Sequence, residues 1–217
     1  MKIEVKSVVK EFEKTKILNN LNVEFNSGKI YGLVGRNGTG KSVFLKMLCG
    51  FYNTSSGEIL YNGKNIIKDR LFPPNTRALI EKPSFIPDLT GYENLKLLAS
   101  VQDRIGKQEI IDSLEKVNLK SDMNKKYYKY SLGMKQKLGI AQVLMENPDI
   151  LIFDEPFNGI EEKTVIKLRE ILADEKKKGK LIIIASHIKE DIDNLCDEIY
   201  EFDDGEIKRI EKNITKI

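Results

Sequence analysis

Gly35-Arg36-Asn37-Gly38-Thr39-Gly40-Lys41-Ser42 is the stretch on which the reading of this chain turns. It fits the spacing G-x-x-x-x-G-K-S/T. Before it, Lys29 to Val34 reads as a strand. After it, Phe44, Leu45, Leu48 and Phe51 recur at helical intervals, predicting a helix that runs to the Gly50 region. Strand, glycine-rich loop and helix in that order form the context in which such a loop holds phosphate. Its glycines let successive N–H groups face an anion, and the helix N-terminus adds the positive end of its dipole. Lys41 then neutralises β- and γ-phosphate oxygens, and the Ser42 hydroxyl is a ligand for Mg2+. Gly35, Arg36, Asn37, Gly38, Thr39, Gly40, Lys41, Ser42 and the backbone N–H of Val43 are therefore the expected nucleotide contacts.

Outward from the loop, the pattern is mixed α/β. Toward the N-terminus, Ile3 to Val8 and the alternating Leu21, Val23 and Phe25 read as short strands, with glycines at 28, 57 and 63 as punctuation. From Pro83 to about Asn147 the texture is helical, with amphipathic candidates at Tyr92 to Gln102, Lys107 to Val117 and Met134 to Met145. Strands return at Ile150 to Phe153 and Leu181 to Ala185, separated by a helical Glu161 to Lys178. The expectation is one domain over 1–217, with an α/β core at about 1–82 and 148–217 split by a helical subdomain at about 83–147. No internal repeat and no Pro/Ser/Gly linker argues for a second module.

The composition excludes several classes. With 36 basic and 33 acidic residues the net charge is +3, too weak a field to imply nucleic acid, so no nucleic-acid partner is expected. The longest apolar runs, such as Leu181 to Ala185, are strand-sized and far from the roughly 20 residues of a membrane span. Met1 to Val9 lacks the pattern of a secretory signal, which predicts a cytoplasmic location. Cys49 and Cys196 sit in apolar, helix-like patterns expected of reduced core thiols, and Lys176 to Lys178 reads as a solvated helix end.

A second chemical constellation lies at Ile150-Leu151-Ile152-Phe153-Asp154-Glu155-Pro156, an apolar strand ending in two acids. Carboxylates at the carboxyl edge of a sheet stand where ligands bind in α/β folds. Asp154 is placed to hold the magnesium shell, and Glu155 to orient or deprotonate an attacking water.

With Tyr130-Ser131-Leu132-Gly133-Met134-Lys135-Gln136-Lys137 and Ala185-Ser186-His187 added, the chain resembles the ATP-binding cassette (ABC) family along its whole length, with the main motifs in family order. The resemblance implies a P-loop NTPase (RecA-like) core, with N-terminal antiparallel strands and an inserted helical subdomain, binding and hydrolysing ATP with Mg2+. It implies that Ser131 and Gly133 close in trans over nucleotide held by an opposite subunit, and that His187, the single histidine, contacts the γ-phosphate. The alternative for Ser131 is a plain helix N-cap, and Phe12 reads either as an adenine-stacking aromatic or as a core residue. Ile80-Glu81-Lys82-Pro83 and Leu89-Thr90-Gly91-Tyr92-Glu93-Asn94-Leu95 narrow the likeness to transporters of the bacitracin-resistance and lantibiotic-immunity type. There Glu81 stands in place of the usual Gln as a further magnesium contact; otherwise it is a surface carboxylate.

The sequence departs from the commoner family pattern at Leu132, Met134 and Glu161, which bears on coupling between two sites more than on nucleotide binding, and at Val43, which removes one phosphate contact of a hydroxyl but keeps the backbone N–H. The resemblance further implies a transmembrane permease as partner, a second cassette, identical or different, paired head to tail, and a position on the cytoplasmic face of a membrane. The alternative is a soluble ABC-type ATPase acting in translation or DNA maintenance. Against it, only about 50 residues separate Glu81 from Ser131, too few for a long coiled-coil insertion.

Overall fold

A computed structural model of the chain describes residues 1–66, 68–69 and 71–211. The elements are β1 Lys2–Phe12, β2 Thr15–Asn26, β3 Lys29–Val34, α1 Lys41–Leu48, β4 Ser56–Tyr61, β5 Lys64–Asn65, β6 Thr76–Leu79, α2 Gly91–Ala99, α3 Lys107–Lys116, α4 Leu132–Leu144, β7 Ile150–Asp154, α5 Glu162–Lys177, β8 Leu181–Ala185, α6 Lys189–Leu195, β9 Glu198–Asp203 and β10 Glu206–Ile210. They build two sheets. One is antiparallel with strand order β2-β1-β4-β5, and the other runs β10-β9-β3-β8-β7-β6. In the larger sheet β9, β3, β8, β7 and β6 are mutually parallel, and only β10 is antiparallel. A mixed α/β P-loop architecture with antiparallel N-terminal strands is thus as expected.

The central strands are apolar on both faces because both faces are covered. Ile30, Leu151, Phe153, Ile182 and Ile184 share one core with side chains of α4, α5 and α6. Their strand neighbours Tyr31, Leu33, Ile150, Ile152, Leu181 and Ile183 point the other way, into a second core with α1 and the β1–β2 ribbon. The alternation makes the parallel sheet the wall between two hydrophobic layers. At the far end of the ribbon, Glu13 and Lys14 adopt φ of 46° and 73°, the positive pair that a tight two-residue hairpin turn requires. That turn holds Phe12 opposite Thr15 at the tip.

Between β6 and β7 the chain forms α2, α3 and α4. Thr90 caps α2 and exchanges hydrogen bonds with Glu93 in a capping box, and Ser131 caps α4 through a bond from the Met134 N–H at 3.2 Å. That cap starts α4 two residues before the expected Met134, and α2 stops at Ala99, short of Gln102. The first helix also ends early, at Leu48, so Phe51 leaves its apolar face and is 67% exposed. β4, β5, β6, β9 and β10 are strands, and α6 a helix, that the sequence pattern did not single out. Lys176 to Lys178 stand at the end of α5 as expected, with Lys177 and Lys178 exposed, and there Lys176 pairs with Asp197 at 2.9 Å and Lys178 with Glu175 at 2.7 Å. Cys49 and Cys196 are buried thiols, and burial pushes the Cys49 thiol up to about 12.

Candidate functional site

Four adjacent strands end at the same edge of the parallel sheet, and each delivers one part of the site. β3 runs into the glycine loop, β8 into Ser186 and His187, β7 into Asp154 and Glu155, and β6 into Glu81. Beside that edge lies a cleft of ≈ 860 Å³, lined by loop residues Asn37, Gly38 and Gly40 to Val43, by Glu81, Asp154 and Glu155, and by Phe12 on the ribbon side. This volume is in the range of small-molecule sites.

The loop is folded on itself. Lys41, buried at the start of α1, donates from Nζ to the carbonyls of Gly35 at 2.6 Å and Arg36 at 2.9 Å. Burial lowers its pKa, partly offset by the charges of Glu155 and Asp154. The ammonium is thus poised to trade two carbonyl oxygens for anionic ones, which would relieve its desolvation. Thr39 closes the loop by donating from Oγ1 to the Arg36 carbonyl at 2.9 Å.

Ser42 donates from Oγ to Asp154 Oδ2 at 2.6 Å, joining α1 to the end of β7. Burial raises the Asp154 pKa, while the Ser42 hydroxyl pulls it down and the charges of Glu155 and Glu81 push it further up. A cation at this point would counteract that shift by stabilising the carboxylate. Hard oxygen donors suit Mg2+, and among the described residues no cluster of three His, Cys, Asp or Glu forms a ready-made cage. Mg2+ fits that arrangement because it is usually held by one or two carboxylates together with substrate phosphates. Glu81 is turned toward Lys46 of α1, with which its carboxylate forms an ion pair. Its backbone φ is 63°.

Glu155 is the most heavily fixed member. Its N–H donates to the Ala185 carbonyl at 2.8 Å, and its Oε1 accepts from the His187 N–H at 3.0 Å. The same Oε1 lies 2.7 Å from His187 Nδ1, and Ser186 Oγ donates to Oε2 at 3.4 Å. On the other side, Gln136 of α4 donates from Nε2 to the Glu155 carbonyl at 3.0 Å.

The structure therefore brings Phe12, Asn37, Gly38, Gly40, Lys41, Ser42, Val43, Glu81, Asp154 and Glu155 around one cleft. Gly35, Arg36 and His187 instead line a neighbouring cleft of ≈ 650 Å³ against β9 and β10, so His187 meets the main site through Glu155. Ser131 and Gly133 belong to neither cleft and lie at the start of α4, where a Cβ on Gly133 would come within 2.5 Å of the Gly159 carbonyl oxygen. Phe12 is 36% exposed, edge-on to Tyr52 at 5.3 Å between centroids and 4.6 Å from Lys10 Nζ, a platform at the cleft mouth more than a core residue. Sequence reading missed Gln136, Lys46 and Tyr52. Gln136 lies within the stretch Tyr130 to Lys137, but only Ser131 and Gly133 of that stretch carry an expected role, and Lys46 and Tyr52 gain meaning only through partners distant along the chain.

Comparison with known proteins agrees with this geometry. The family profile described as ABC transporter matches residues 18–158. The chain is 42% identical to the uncharacterized ABC transporter ATP-binding protein YybJ of Bacillus subtilis (strain 168), over 99% of this chain and 98% of that protein. It is 35% identical to the bacitracin transport ATP-binding protein BcrA of Enterococcus faecalis, over 99% of this chain and 70% of that protein. A solved structure of the ATP-binding subunit of an ABC transporter superposes with a TM-score of 0.86 at 26% identity, covering 96% of this chain and 88% of that one.

Proposed function

The chain belongs to the ABC transporter family of ATP-binding proteins, and we propose that it hydrolyses ATP to drive a separate membrane permease. The observation that carries this reading is the convergence of Lys41, the Ser42–Asp154 pair and the Glu155–His187 pair at one sheet edge, with contacts of 2.6 and 2.7 Å within the pairs. In this reading Phe12 stacks on adenine, and the backbone from Gly35 to Val43 cradles the phosphates. Lys41 leaves its two carbonyls for the β- and γ-oxygens. Ser42, Asp154 and Glu81 would hold Mg2+, which when bound neutralises phosphate charge. Glu155 accepts a proton from the attacking water, whose oxygen bonds to the γ-phosphorus as the bond to the bridging oxygen breaks and ADP departs. His187 orients Glu155 and, once nucleotide is bound, stabilises charge on the γ-phosphoryl group.

Ser131 and Gly133, outside the chain's own clefts, complete the site of a second cassette, identical or different, that pairs head to tail with this one. In the same reading, residues 1–217 act as one nucleotide-binding domain, with a core at about 1–82 and 148–217 and a helical subdomain at about 83–147 that passes motion to the permease. Among the described residues no helix is long and apolar enough to cross a membrane, in keeping with a subunit that sits on the cytoplasmic face of its partner. BcrA carries bacitracin transport in its name; for this chain we extend that to export of a peptide antibiotic or related drug. The relatives above favour transport, and nothing in them favours translation or DNA maintenance. Purification of the chain from native membranes tests the reading. Retention of an integral membrane protein is expected, and a wholly soluble chain with no such partner would sink it.

A further inference from the structure

Glu155 has a backbone φ of 49°, in the left-handed region that residues other than Gly, Asn and Asp enter only under strain. Such a conformation persists only where its surroundings over-determine it. Pro156 follows, so the next peptide has no N–H, and Pro also disfavours a helical conformation for the residue before it. Two groups grip the Glu155 peptide from opposite sides. The Ala185 carbonyl of β8 takes its N–H at 2.8 Å, and Gln136 Nε2 donates to its carbonyl at 3.0 Å. The further bond to that carbonyl, from the Asn158 N–H, is long at 3.4 Å. Gln136 is 6% exposed, so its amide is committed to this contact with little competition from water. The same end of α4 touches the far end of the loop, where Leu132 and Gly133 pack on Gly159.

We propose that Gln136 is the positioning residue for Glu155: its side-chain amide fixes the left-handed peptide that aims the carboxylate at the water site, and so ties the aim of the base to the first turns of α4. The proposal rests on the reading of Glu155 as the base. Without the amide, the peptide is free to relax toward negative φ, which swings the carboxylate away from His187. Gln136 borders the same cleft as Phe12 and the glycine loop, but its side-chain hydrogen bond goes to the Glu155 carbonyl and not to either of them, so binding of nucleotide should change little. The chemical step should slow, since a misplacement of about 1 Å costs up to a hundredfold in rate.

The experiment uses the full-length chain and steady-state ATP hydrolysis by Gln136→Met, which removes the donor at similar volume, and by Gln136→Glu, which sets an acceptor against the Glu155 carbonyl. The expected result is a kcat lower by on the order of tenfold for Met and by more for Glu, with KM for ATP within about twofold of wild type. The double variant Gln136→Met/Glu155→Gln should be no slower than Glu155→Gln alone, a non-additivity that a merely structural role would not produce. A wild-type kcat for Gln136→Met beside an inactive Glu155→Gln would overturn this proposal alone, as would additive losses in the double variant. A wild-type rate for Glu155→Gln would instead remove the base reading and the proposal with it. Loss of cooperative unfolding or of nucleotide binding in both Gln136 variants would also overturn it, by making Gln136 a determinant of the fold.

Discussion

Replacing Gly35 by Ala sets two penalties against the glycine loop that the structure allows to be separated. Gly35 has φ of 144°, and a Cβ built on it would lie 2.3 Å from the carbonyl oxygen of Phe202 in β9. An ordinary contact needs about 3.4 Å, so the loop or the strand must yield by about 1 Å, and overpacking of this kind costs about 1–3 kcal/mol. Gly38 has φ of 85° but nothing within 4 Å of its Cβ position. Both substitutions carry the backbone cost of a positive φ, about 1–3 kcal/mol, and only Gly35→Ala carries the steric one. For a domain of this size each kcal/mol moves the thermal midpoint by about 2–4 °C. Gly35→Ala should therefore melt about 2–12 °C below Gly38→Ala when both are followed by circular dichroism without nucleotide. Its ATP affinity should also fall by more than tenfold, because the displaced backbone is the phosphate cradle. Equal midpoints for the two variants would refute the claim that β9 forms the back wall of the loop.

Two further substitutions separate binding from chemistry. Burial holds the Asp154 carboxyl above the usual carboxylate range. An acid with a raised folded pKa binds its proton more tightly when folded, so its contribution to stability is present below the unfolded value of about 3.9 and is lost as pH rises through the folded one. Asp154→Asn should thus raise the melting point of the nucleotide-free protein at neutral pH and flatten its decline above about pH 4, while abolishing Mg2+-dependent hydrolysis; a lower melting point at pH 7 would contradict the assignment. Phe12→Ala should weaken ATP by about 1–3 kcal/mol, the value of a base–aromatic stack, and leave the affinity for inorganic tripolyphosphate unchanged, as measured by calorimetric titration.

The fold was legible where residues speak through local periodicity. Leu181 to Ala185 has the same bounds as strand and as sequence run, and the strand–loop–helix around Gly35 to Ser42 fixed which edge of the sheet carries the site. β6 and β9 escaped notice because their exposed and half-buried positions break the apolar pattern, and pairing with β7 and β3 supplies the missing support. The site was legible by residue type but not by orientation. Lys41, Ser42, Asp154 and Glu155 were placed by motif, and all four line one cleft. That Glu81 would lean on Lys46, or that His187 would face Glu155 from a separate cleft, depends on side-chain partners 35 and 32 residues away along the chain. Gln136 sits inside the Tyr130 to Lys137 motif, yet its role was not legible there, since its amide meets a backbone carbonyl and residue type alone does not encode that choice.

The central claim is that the acids at the end of β7 and the loop at the end of β3 form one ATP-hydrolysing site with Glu155 as its base. The most direct test measures phosphate release and bound nucleotide together for Glu155→Gln and wild type under saturating Mg2+ and ATP. The account predicts a variant that still fills with ATP but releases phosphate at least a hundredfold more slowly. A variant that binds ATP and turns it over at the wild-type rate would contradict it.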